Sequence, residues 1–171
     1  MKPAGLHIRA GSLDDADLIS GTIAASFEDV ARRFDLTRAN CPTHPSFYTR
    51  QKAADDLGRG LCYYIAELDG RPAGCAAIEQ PNDTTCYLER LAVQPFERRR
   101  GIGQTLVEKV LAEATARRAG EVGIAIIAAH ADLRRWYEKI GFVVTETKRF
   151  PHLPFSVTFL NYRLVRKRPA L

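Results

Sequence analysis

The chain has 171 residues and a formal net charge of +5, with 26% charged and 46% hydrophobic residues. That length fits one domain, residues 1–171, able to bury a sizeable core, and the composition is ordinary for a soluble globular chain. The modest basic excess favours acidic partners, but without aromatic-basic interleaving or a nucleic-acid motif it predicts no nucleic-acid partner.

Leu6 to Ala10 reads as a first strand. Ser12 and Asp15 then form a capping-box variant before a helix. Ile19, Ile23, Phe27 and Val30 give that helix a buried stripe, and it should run to about Phe34. Asn40, Pro42 and Pro45 make the next stretch irregular. A short helix is expected from Ser46 to Leu57, with Gly58 as its C-terminal cap. Three antiparallel strands follow, Leu61 to Leu68, Arg71 to Glu79 and Thr84 to Val93, joined at Asp69-Gly70 and at Pro81-Asn82-Asp83.

Pro95 ends the third of these strands. From Ile102 the apolar period changes: Ile102, Leu106, Val107, Val110, Leu111 and Ala114 share one helical face. Glu121 to Ala128 is an isoleucine-rich strand of the buried, parallel kind, which makes the helix before it a crossover. Asp132 is placed to cap a short helix with the stripe Leu133, Trp136, Tyr137 and Ile140, ended by Gly141. Phe142 to Lys148 and Ser156 to Val165 are the last strands, around the loop Arg149 to Pro154. The order predicts a mixed α/β fold: a seven-stranded sheet, antiparallel in its N-terminal half and parallel at the crossover, flanked by about four helices.

The chemistry concentrates at Arg98-Arg99-Arg100-Gly101-Ile102-Gly103. The first turn of a helix has unpartnered N–H groups and a positive dipole end. Glycine lets a ligand approach the backbone, and arginines add charge-assisted hydrogen bonds. Arg98 to Thr105 therefore reads as a pyrophosphate cradle. The bland alternative is a basic turn that only caps its helix. Gln104-Thr105 lacks the Lys-Ser/Thr pair of a P-loop, and Leu106 replaces the third glycine of the dinucleotide fingerprint.

The run V-x-P-x-x-R-R-R-G-I-G resembles the acetyl-CoA-binding signature of the GNAT superfamily of N-acetyltransferases, matched by Arg98, Gly101 and Gly103. Trp136-Tyr137-Glu138-Lys139-Ile140-Gly141-Phe142 is similar to a second motif of that superfamily, and the order of elements is that of the GNAT fold. The resemblance implies acetyl transfer from acetyl-CoA directly to a primary amine, no metal, and a homodimer; segments 35–60 and 149–155 read as a pocket cover rather than an open groove, which favours a small molecule as acceptor. It implies that the backbone of Leu91, Ala92 and Val93 binds the pantetheine arm. It assigns the cradle to Arg98, Arg99, Arg100, Gly101, Ile102 and Gly103, with Thr105 reaching a phosphate. His130 stands where the family has an asparagine that contacts pantetheine. It can donate a similar bond, or serve as a cap or packing residue.

Tyr137 is implied as the acid that protonates the departing thiolate, although its place on an apolar stripe also suits packing. The acceptor amine must lose a proton before it attacks. Glu89 is the first candidate base, with Glu79 and His152 behind it. Strand alternation puts Tyr87, Glu89, Leu91 and Val93 on one face and Leu88 and Arg90 on the other. Glu89 in an ion pair with an arginine is the competing reading. Phe34, His44, Phe47 and Tyr48 are candidates for an acceptor pocket or for the core. Peptide N-acetylation, a non-catalytic CoA sensor and a basic nucleic-acid binder are the alternative functions.

Nothing at the N-terminus reads as a signal core, and the most apolar run, Val122 to Ala129, is far too short to span a bilayer. Cys41, Cys62, Cys75 and Cys86 form no C-x-x-C pair, which suits a reduced cytoplasmic protein with no membrane partner. Cys41 and His44 have a zinc-like spacing, but without a second pair no metal site is expected.

Overall fold

The computed structural model describes residues 1–165. The strands are β1 (Leu6–Ala10), β2 (Cys62–Leu68), β3 (Arg71–Glu79), β4 (Thr85–Val93), β5 (Glu121–Ile127), β6 (Val143–Arg149) and β7 (Ser156–Arg163). They form one seven-stranded sheet in the order β1-β2-β3-β4-β5-β7-β6. The helices are α1 (Ala16–Arg33), α2 (Arg50–Gly58), α3 (Ile102–Ala116) and α4 (Ala131–Ile140). Every neighbouring pair of strands is antiparallel except β4 and β5. Part of the basic tail, Arg166, Lys167 and Arg168, lies outside the described residues.

Each face of the sheet has its own core. On one face, Ile102, Leu106, Val107, Val110 and Ala114 of α3 are almost wholly buried with Tyr137 and Phe142. On the other, Ile19 and Ile23 of α1 pack with Tyr48, Tyr63, Ile65, Cys75 and Ala77. Burial of each large aliphatic side chain here contributes roughly 1.5–3 kcal/mol. These stripes are the period-3.6 patterns seen in the sequence.

Local chemistry corrects several boundaries. The helix expected from Ser46 is interrupted: Pro45–Phe47 is a single 3-10 turn, Tyr48 and Thr49 are extended, and α2 starts at Arg50. Thr49 caps it by accepting from the Lys52 N–H at 3.2 Å. Its C-terminal reversal falls at Gly60, φ +98°, and not at Gly58, which is still helical. At α4 the N-cap is His130, whose Nδ1 accepts from the Leu133 N–H at 3.4 Å. Asp132 sits one residue inside the helix and pairs with Arg135 instead.

The largest correction is in β4. Its register against β3 shifts between Cys75 and Ala77, so Arg90 and Leu91 together oppose one residue. Arg90 adopts φ +53°. A left-handed non-glycine residue costs roughly 1–3 kcal/mol and marks a bulge that the surroundings enforce. The bulge breaks the alternation. Leu88, Leu91 and Val93 all pack toward α3, while Ala92 packs toward α1 and α2. Glu89 faces the charged groups of α2, on the same side as Arg90 rather than the opposite one.

Candidate active site

Strands β4 and β5 pair in parallel over only three residues each, Thr85–Tyr87 against Glu121–Gly123. Past that point β5 continues along β7 and β4 along β3, so the two part company. The resulting cleft holds about 890 Å³. Leu88 to Val93 form one wall and Ile124 to Ile127 the other, with the start of α3 at one end and α4 beside it. A parallel pair that separates leaves backbone N–H and C=O groups free for a ligand.

Of the residues singled out in the sequence, Glu89, Leu91, Ala92, Val93, Arg98, Arg99, Gly101, Ile102, Gly103, His130 and Tyr137 line this cleft. Arg100 does not: its guanidinium pairs with Glu97. Thr105 does not either, and its hydroxyl donates to the Gly101 carbonyl at 2.9 Å, inside the helix.

The phosphate-binding geometry is mostly backbone. Gly101 caps α3 with φ +81°, and among the described residues no side-chain hydrogen bond caps that helix end. A Cβ on Gly101 would lie 2.7 Å from the Met1 carbonyl oxygen, so only glycine fits the turn. The side chain of Arg98 turns away from the loop toward α1. It donates to the Asp29 carboxylate at 2.5 and 3.2 Å and to the carbonyls of Ser26 at 2.5 Å and Val93 at 3.3 Å. That strap fixes the loop on the first helix, and the paired Arg98 guanidinium in turn holds the Asp29 carboxyl below the usual carboxylate range. Arg99, in the left-handed region at φ +62°, is the arginine of the run that lines the cleft without such a strap.

Tyr137 is 5% exposed. Its ring stands edge-on to Trp136 at 4.8 Å and to Phe142 at 5.3 Å. Burial raises its phenol above the ordinary range, so at neutral pH it holds its proton. Glu89 has a one-third exposed side chain with Oε2 3.5 Å from an Arg90 guanidinium nitrogen. Burial raises its carboxyl above the ordinary range, and Arg90 opposes that rise. His130 is held neutral chiefly by burial; because its Nδ1 accepts the Leu133 N–H, its proton sits on Nε2.

The acceptor-side candidates separate. His44 is buried and lines the cleft, Phe27 beside it at 5.9 Å between ring centres. The Ser46 N–H donates to the His44 Nδ1 at 3.3 Å, and burial lowers the pKa of the imidazole. Phe47 lies under Arg38, away from the cleft, and Tyr48 is in the core with Asp56. Phe34 packs on the His130 ring at 5.6 Å. His152 is exposed beside Phe150, and Glu79 sits 3.8 Å from Arg59; neither lines the cleft. Phe27 and Trp136 are lining residues that the sequence presents only as helical core positions. Among the described residues no group of three or more His, Cys, Asp or Glu side chains is placed to hold a metal, and no helix is long and apolar enough to cross a membrane.

Comparison with known proteins agrees with this architecture. The chain superposes on the PaiA N-acetyltransferase of Thermoplasma acidophilum in complex with coenzyme A with a TM-score of 0.79, at 16% identity, over 93% of this chain and 99% of that one. The ribosomal-protein-S18-alanine N-acetyltransferase of Escherichia coli gives 0.76 at 16% identity, over 97% and 98%. A GNAT family acetyltransferase of Elizabethkingia anophelis with acetyl-CoA bound gives 0.64 at 16%, over 94% and 99%. No curated protein sequence matches the chain significantly. The model of the acetyltransferase (GNAT) family matches residues 27–142, more than half the chain. The chain belongs to the GNAT family of acetyltransferases.

Proposed function

We propose that this chain, acting as a single catalytic domain over residues 1–171, transfers an acetyl group from acetyl-CoA directly to a primary amine. The observation that carries the reading is one cleft lined by Glu89 from β4 and by Tyr137 from α4, with the N-terminus of α3 at its end. Structural neighbours that hold coenzyme A or acetyl-CoA support the donor. The residues fit that donor. The α3 N–H groups and Gly101 suit a pyrophosphate, Arg99 adds charge, and the free edge of β4 at Leu91 to Val93 suits an amide-bearing arm.

Two proton movements complete the chemistry. Glu89 takes the proton from the acceptor ammonium, directly or through water, so that the neutral nitrogen attacks the thioester carbonyl. The new C–N bond forms, the C–S bond breaks, and Tyr137 gives its proton to the departing sulfur. No covalent enzyme intermediate is required. Burial raises the thiols of Cys41, Cys75 and Cys86, which makes them poor nucleophiles.

A small amine is the acceptor we favour. Leu153 and Phe155 of the β6–β7 loop pack on Ala31 and Leu36 at the end of α1, and Phe155 lines the cleft. That contact covers the acceptor side and leaves a pocket rather than a long groove. Free thiols, Cys41, Cys62, Cys75 and Cys86, fit a cytoplasmic setting. Release of free thiol from acetyl-CoA, measured with a panel of small primary amines and of peptides with free N-termini, tests the choice. Turnover with small amines alone is expected; turnover confined to peptides would reassign the acceptor.

A further inference from the structure

A buried charged cluster lies directly behind Glu89. Asp56, on α2, is 0% exposed. Its carboxylate accepts from the Tyr48 hydroxyl, from Lys52 Nζ at 3.1 Å and from Arg59 at 2.6 Å. The Tyr48 hydroxyl also meets that of Tyr63 at 2.8 Å. Arg90 lies over the Tyr48 ring at 5.3 Å, and its Nε is 3.9 Å from Asp56. That Nε is buried and has no hydrogen-bond partner among the described residues. The guanidinium is therefore held by charge and stacking on one side, and its other end reaches Glu89 at 3.5 Å.

A left-handed arginine with a buried, unpartnered N–H is costly twice over, and such costs persist where the position matters. Resting on the reading of Glu89 as the base, we propose that Arg90 is a positioning residue. Anchored by Asp56 and Tyr48, it holds the Glu89 carboxylate in place on the acceptor side of the bulge. Tyr48 stands just before α2 and Asp56 lies on it, so the same cluster ties α2 to the strand that carries Glu89.

The charged groups facing Glu89 are Arg90 of its own strand, Glu79 of β3, and Asp56 and Arg59 of α2. Arg90 is the closest cation, and an opposite charge at this range lowers a carboxyl by about 1–3 pH units. The test is a titration of ¹³C-carboxyl-labelled glutamate by NMR, with Glu89→Gln identifying the Glu89 signal. Arg90→Met is expected to move the Glu89 midpoint up by about 1–3 pH units, and Arg90→Lys to keep it near the wild-type value. If Arg90→Met does not fold, Arg90→Gln reads the same midpoint. An unmoved midpoint in the uncharged variant, or an equal rise in Arg90→Lys, overturns the proposal. The readout needs no acceptor, so a Glu89→Gln enzyme of normal turnover would remove the base reading while leaving this result standing.

Discussion

Glu89→Gln should lower kcat by about 10²- to 10⁴-fold, the usual worth of a positioned general base, and leave acetyl-CoA binding intact. The amide is nearly isosteric with the carboxylate but cannot accept the ammonium proton. The pH profile should change with it. A base works deprotonated, so wild-type turnover rises with pH through the Glu89 pKa. Burial places that pKa above the ordinary carboxylate range, and the rising limb lies correspondingly high. In Glu89→Gln that limb should disappear. Full turnover in the variant would move the base elsewhere, first to His44, the neutral imidazole that lines the same cleft.

Tyr137→Phe carries the second large effect: a fall in turnover of about 10²- to 10⁴-fold with acetyl-CoA affinity preserved. The substitution keeps the ring that packs on Trp136 and Phe142. Burial is what raises the phenol, and among the described residues its hydroxyl has no hydrogen-bond partner. Removing such a hydroxyl leaves no partner unsatisfied, so thermal stability should be nearly unchanged. Loss of rate with retained stability and binding identifies a proton donor. A rate that does not change takes Tyr137 out of the mechanism and leaves it as a core residue.

Much of this architecture is legible in the sequence because local signals dominate it. The switch of apolar period at Ile102 reports a helix whose buried face is decided by its own spacing. The Asp69-Gly70 pair, both at positive φ, reports a hairpin from two residues. The isoleucine-rich β5 announces a strand, but not one covered on both faces: Val122, Ile124 and Ile126 are buried in the α3-side core, while Ala125 on the other face is exposed in the cleft. What escapes reading is set by distant or unusual chemistry. Alternation places Arg90 opposite Glu89, because nothing in an arginine signals a left-handed bulge. Arg98 reads as a phosphate ligand by its motif, yet its partner Asp29 lies 69 residues away. Asp132 is the better capper by propensity, but the chain turns two residues earlier and His130 takes the position. The buried Asp56 looks, in sequence, like any acidic residue on a short polar helix. Only the fold places Tyr48, Tyr63 and Arg90 around it.

Everything proposed for this site depends on the splayed β4–β5 cleft and the Gly101 turn binding acetyl-CoA. Calorimetric titration of the purified protein with acetyl-CoA, beside NAD and ATP, addresses it most directly. The predicted result is saturable binding of acetyl-CoA at one site per chain, with neither NAD nor ATP competing. No binding of acetyl-CoA, or equal binding of all three, would contradict a coenzyme site here and reduce the arginine-glycine turn to a helix cap.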